Sequence, residues 1–156
     1  MTETPQTTAT TAAELEELID DWRGRLQRLD PQRVRERPAP DRWTISEVIG
    51  HLIDSACNNH QRFVRAQFCS ELEFPRYDQN QWVAAANYVN ADWESLVALW
   101  YHYNRQLAIL IRNTPEDALV TTCTITPNDA CSLEFLITDY VAHLRHHLQI
   151  LDERIR

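Results

Sequence analysis

Between Leu133 and Leu151 the residues Leu133, Leu136, Ile137, Tyr140, Leu144, Leu148 and Leu151 recur at intervals of three and four. That spacing puts them on one face of an α-helix, and a face so apolar has to be buried against other elements. Three earlier segments repeat the pattern. They are Leu15, Leu18, Ile19, Trp22, Leu26 and Leu29; then Ile45, Val48, Ile49, Leu52, Ala56, Phe63 and Ala66; then Trp93, Leu96, Val97, Trp100, Tyr103, Leu107, Leu110 and Ile111. With two glycines in 156 residues, and no proline between Pro40 and Pro75 or between Pro75 and Pro115, little in the chain breaks a helix. Four amphipathic helices of similar length predict an all-α fold, a four-helix bundle.

The helix ends are marked by their chemistry. Thr11-Ala12-Ala13-Glu14 has capping-box spacing, and so has Thr44-Ile45-Ser46-Glu47, where Trp43 and Val48 take the positions of a hydrophobic staple. The first helix stops at Asp30-Pro31, and Pro31 to Arg42 reads as an exposed connection. The second is predicted to run to about Glu71. Pro75 to Gln79 breaks the pattern, and Gln81 to Tyr88 supplies one or two helical turns inside a long connection between the second and third helices. Asn90 or Asp92 caps the third helix and Asn113-Thr114-Pro115 ends it. Val120 to Thr126 alternates as a short extended segment would, and Ser132 caps the last helix. Residues 1–10, polar and rich in threonine, are expected to form a disordered tail, and residues 11–156 a single domain.

Composition excludes several functions. Fifteen basic against twenty-three acidic residues leave a net charge of −8, which repels a phosphate backbone, so nucleic acid is not expected as a partner. Every basic residue is arginine. A lysine Schiff base, a lysine general base and a phosphate-cradling loop lysine are therefore ruled out. Cys57, Cys69, Cys123 and Cys131 show no CxxC or CxxCH spacing and are expected to serve as small buried hydrophobes. No run approaches eighteen apolar residues and the first ten residues do not resemble a secretory leader, so no membrane partner and a cytoplasmic setting are expected.

The chemistry is carried by histidines. His143 and His147 fall inside the apolar stripe of the last helix, one turn apart on one face, as two ligands of one metal must be. On the second helix His51 flanks the apolar stripe, with Ser55, Asn59 and Arg62 continuing along the same edge at steps of four, four and three. A line of polar groups beside a buried face lines a cavity more cheaply than it enters a core. Three imidazoles from facing helices leave coordination positions open, the arrangement of a reactive metal. Such a donor set suits Zn, Ni, Cu or Fe. Asp139 and Glu47, each four residues before a histidine, are candidates to orient an imidazole, with Glu47 already engaged by its capping box. His60, His102 and His146 are read as structural or solvent-facing. There is no HExxH, and no paired ExxH of the di-iron kind.

Trp43-Thr44, His51-Leu52-Ile53-Asp54-Ser55, Arg62-Phe63 and Tyr140-Val141-Ala142-His143-Leu144-Arg145-His146-His147 together resemble the DinB-like superfamily, in particular its YfiT-type branch. The resemblance runs from about Arg42 to Leu151. It implies down-up-up-down connectivity, a homodimer, and one divalent metal, Zn or Ni, on His51, His143 and His147, the trio the stripes select independently. It also implies action on a small molecule: S-transfer or isomerisation with a low-molecular-weight thiol, or metal-dependent hydrolysis. In the thiol reading Arg62 binds a carboxylate of the cosubstrate, and Ser55, Asn59 and Asp139 line the site or support its ligands. A hydrolase of amides or esters and a non-catalytic metal-binding stress-response bundle are the alternatives; no general acid or base is assigned.

Overall fold

The computed structural model describes residues 6–156. Five helices make up most of it: α1 (Gln6–Gln27), α2 (Ile45–Arg65), the short α3 (Gln79–Ala86), α4 (Trp93–Arg112) and α5 (Leu133–Ile155). Three short strands, β1 (Glu71–Pro75), β2 (Thr122–Thr126) and β3 (Cys131–Ser132), form one sheet in the order β1-β2-β3.

The four long helices form the bundle, and cross-helix contacts give their directions. Arg25 pairs with Asp152 and Arg145 with Glu14, so α1 and α5 are parallel. Arg112 meets Glu16, and Trp93 Nε1 donates to the Leu26 carbonyl at 2.9 Å, so α4 opposes α1. The start of α2 lies by the end of α5, where Arg154 donates to the Trp43 carbonyl. The order is therefore down-up-up-down, as the family resemblance implied. Because α2 and α4 are neighbours that run the same way, their connection must travel the length of the bundle. Residues 66–92 do so, which accounts for the long connection and for the elements within it.

The apolar stripes meet in one core. Leu15, Ile19 and Leu26 of α1, Ile49, Leu52 and Phe63 of α2, Trp100, Leu107 and Ile111 of α4, and Ile137, Leu144 and Leu151 of α5 are all buried. The Thr44 capping box forms in both directions, and Asp92 and Ser132 cap α4 and α5. Gly50, within α2, is where the Tyr88 ring packs directly against the helix. A β-carbon there would come within 2.1 Å of that ring.

Several expectations are corrected. α1 begins at Gln6, so the Thr11 box lies inside the helix, where Thr8 and Thr11 are buried. The expected tail 1–10 is thus helical from Gln6, and its first five residues lie outside the described ones. α2 stops at Arg65 rather than near Glu71, and a 3-10 turn over Ala66–Phe68 leads into β1. In β1, Leu72 and Phe74 alternate with exposed Glu71 and Glu73, and the strand pairs in parallel with β2. The four cysteines are free, but Cys123 alone is buried; Cys69 is exposed. No helix among the described residues is long and apolar enough to cross a membrane.

Candidate metal centre

α2 and α5 lie side by side and antiparallel, which brings His51 near the start of one against His143 and His147 in the middle of the other. Nε2 of His143 lies 3.4 Å from Nε2 of His51, 92 residues away in sequence, and 3.1 Å from Nε2 of His147. One ligand atom from each ring falls within 4.8 Å of the others. His51 is fully buried, with the Trp43 indole against its other side at a centroid distance of 4.8 Å. His143 and His147 are half-buried.

Burial dominates the protonation of these rings. It lowers the His51 pKa from 6.5 to about 3, helped by the neighbouring His147 and His143. It also lowers His147 to about 4, with His143 and His146 adding to the effect. His143 is held below its ordinary value by burial, against the opposing charge of Asp139. All three are therefore neutral at pH 7. Two neutral ring nitrogens at 3.1 Å cannot face each other lone pair to lone pair; a proton or a shared cation has to lie between them. Three such nitrogens converging without an acceptor, and with the buried His51 Nδ1 unpartnered, fit the donor set of a borderline divalent cation.

His143 also forms one end of a cavity of about 460 Å³. Ser55, Asn59 and Arg62, the polar edge of α2, line it together with Leu136, Asp139 and Tyr140 of α5. The connections supply the rest of the wall: Arg76, Tyr77, Asp78, Gln79 and Asn80 before and at the start of α3, and Ile125 and Asn128 at the end of β2. These connecting residues carry no periodic signal and were not foreseen. Tyr88 is also new: its hydroxyl donates to buried Asp54 at 2.6 Å and holds the 76–90 segment on α2. Burial raises the Asp54 pKa against that hydrogen bond.

Other expected roles divide. Glu47 accepts from the Thr44 amide and from Arg37 through both oxygens, so it does not orient His51. Asp139 is exposed on the cavity wall, and among the described residues no hydrogen bond joins it to His143. His60 bonds to the Tyr103 hydroxyl at 2.9 Å, while His102 and His146 are exposed. Arg62 is buried and pairs with no carboxylate among the described residues.

A four-helix bundle with a polar cavity and three converging histidines is the class of protein these features define. The sequence profile of the DinB superfamily matches residues 5–151, and the chain belongs to that superfamily. Its fold is similar to YfiT from Bacillus subtilis, described as a probable metal-dependent hydrolase with an unusual four-helix bundle topology. That match has TM-score 0.82 and 20% identity over 97% of this chain and 87% of the other. It is also similar to the mycothiol-dependent maleylpyruvate isomerase, at TM-score 0.73 and 16% identity over 90% of this chain. A histidine-to-alanine mutant of that isomerase matches equally well. This chain spans 59% of the isomerase. No curated protein matches the chain significantly.

Proposed function

We propose that this protein holds one divalent cation, zinc or nickel, through Nε2 of His51, His143 and His147, and joins a low-molecular-weight thiol to an electrophile in the adjoining cavity. The convergence of three neutral imidazoles at the end of a polar cavity carries this reading. A divalent cation bound there supplies the positive charge that lowers the pKa of a thiol or water in its open position.

The chain's own groups do the rest. Asp139, facing the cavity near His143, takes the proton that the thiol gives up. The sulfur then bonds to an electrophilic carbon, and the leaving group departs with the bonding electron pair. Asn59 and Tyr77 offer hydrogen bonds to the polar body of the substrate, while the Trp43 indole closes the outer side of His51 against water. The likeness to a thiol-dependent isomerase and the polar lining both favour a hydrophilic small molecule.

Hydrolysis of an amide or ester is the second reading, favoured by the likeness to YfiT and by the same Asp139, which would take its proton from water instead. Metal-loaded protein incubated with a panel of bacterial thiols and monochlorobimane separates the readings. Enzymatic conjugation, lost in His143→Ala, is the expected result. Tight metal retention with no conjugation of any thiol would overturn S-transfer and leave hydrolysis or a non-catalytic metal-binding role.

A further inference from the structure

Arg62 is the anomaly of the cavity. Its side chain is nine-tenths buried, at 9% relative exposure, yet no carboxylate lies within ion-pair distance among the described residues. Nε has no partner, and the one hydrogen bond, from Nη1 to Asn59 Oδ1, is long at 3.5 Å. The Phe74 ring, 5.3 Å from the guanidinium carbon, gives a weak cation–π contact. A buried cation left this way is costly, because desolvation is repaid only by a counter-charge with good geometry. Buried Glu47 shows what satisfaction looks like: it receives Arg37 in a bidentate pair.

Its surroundings show where a counter-charge would come from. Asn59 is tied by its amide nitrogen to the Ser55 carbonyl at 2.9 Å, which turns its oxygen toward Arg62 Nη1, and Nε is sealed within the protein, so the Nη end of the guanidinium is the part that meets the cavity. The paired Nη groups of a guanidinium are a fork matched to two carboxylate oxygens. Of the cavity's own acids, Asp78 is committed to capping α3 through the Gln81 amide, and Asp139 does not reach Arg62 within ion-pair distance. Along α2 the backbone of Arg62 lies eleven residues beyond that of His51, about 16 Å at the helical rise, and its guanidinium reaches back toward Asn59, still about two turns from His51. A ligand touching both ends is therefore extended, and the hydroxyl and amide of Ser55 and Asn59 lie along its middle.

We infer that Arg62 anchors a carboxylate of the substrate at the end of the cavity remote from the histidines, so the ligand is an extended, hydrophilic acid rather than a neutral molecule. This deepens, and rests on, the reading of the cavity as the substrate site. The Nη end of Arg62 receives the two oxygens side by side, and the anion supplies the counter-charge the fold withholds.

The test is calorimetric titration of the metal-loaded full-length protein with glutathione, chosen as an extended thiol acid, and with its diethyl ester, which masks both carboxylates. S-methylglutathione and its diethyl ester repeat the comparison without a free thiol. Each acid is expected to bind about tenfold more tightly than its ester. Arg62→Gln should bring both ratios close to one, and Arg62→Lys, which keeps the charge but not the fork, should retain part of the preference. Equal affinity for acid and ester in the wild type overturns the inference. So does binding by none of the four compounds, or an acid preference that survives Arg62→Gln in full. If both acids are preferred but the free thiol adds nothing over its S-methyl form, the carboxylate anchor stands and thiol transfer falls. If the free thiols bind more tightly but acid and ester are equal, thiol transfer stands and the anchor falls.

Discussion

The two sides of the bundle are built on opposite terms. Where α1 meets α4, the interior is largely hydrocarbon: Leu15, Ile19, Leu26, Leu107 and Ile111 are fully buried, and the polar pairs Arg112–Glu16 and Arg105–Asp20 stay at the surface. Where α2 meets α5 and the 76–90 segment, His51, Asp54, Ser55, Asn59 and Arg62 are buried, and atoms of His51, Asp54 and Arg62 lack partners. Burying unpartnered polar atoms costs stability, while closing hydrocarbon around hydrocarbon supplies it. The sealed side thus carries the fold that lets the open side keep its polar groups free for ligands.

Leu107→Ala tests the sealed side first. It should cost ~2–5 kcal/mol in chemical denaturation, through lost burial and the cavity left behind, with metal content per folded chain unchanged. A loss of metal in folded Leu107→Ala protein would show that the two sides are not separable. His51→Ala tests the open side. With free metal at a hundred times its dissociation constant, linkage raises the stability of the wild type by about 2.7 kcal/mol. The melting temperature of His51→Ala should no longer climb with metal, whereas that of His60→Ala, on the same helix, should. A wild-type response in His51→Ala would remove it from the ligand set.

Smaller effects sharpen the boundary between the sides. Thr44→Ala removes the α2 cap beside Trp43 and should cost ~1 kcal/mol. Acid should act at the same place. Burial pushes the Glu47 pKa up, but the Arg37 and Thr44 hydrogen bonds and the Arg37 charge outweigh it and hold it below the ordinary 4.5. A depressed carboxylate gives stability that is complete above its unfolded pKa and lost as pH falls through its folded one. Denaturation below pH 4.5 should therefore be less steep in Glu47→Gln than in the wild type, and identical slopes would deny the pair its role. The smallest change is expected on the sealed side's surface, where Arg112→Ala should cost no more than ~1 kcal/mol in denaturant melts.

Much of this was legible in the chain. The four stripes located the bundle, the Thr44 and Ser132 caps placed two helix starts, and Asn90 or Asp92 marked a third to within two residues, because periodicity and capping are local properties read within a few residues. The polar edge Ser55, Asn59 and Arg62 announced a cavity for the same reason. Failures came where local signals compete or are absent. Thr11 has capping-box spacing yet sits inside α1, since helical residues before it extend the same buried face. The stripe carries α2 on to about Glu71 and gives no sign of β1, because five residues of alternation mean little until a partner strand is at hand.

What the sequence determined by itself is the supply of groups: four helical faces, three histidines in or beside the apolar stripes of two of them, no lysine, and an arginine in line with the polar edge. What only the tertiary structure decided is their company. The ring nitrogens of His51 and His143 come within 3.4 Å across 92 residues, Tyr77 and Asn128 arrive from connections without periodicity, and Arg62 is left without a carboxylate. Helical rise and side-chain direction are set by the nearest few residues, whereas which charge lies beside which depends on packing directions that the whole bundle settles together.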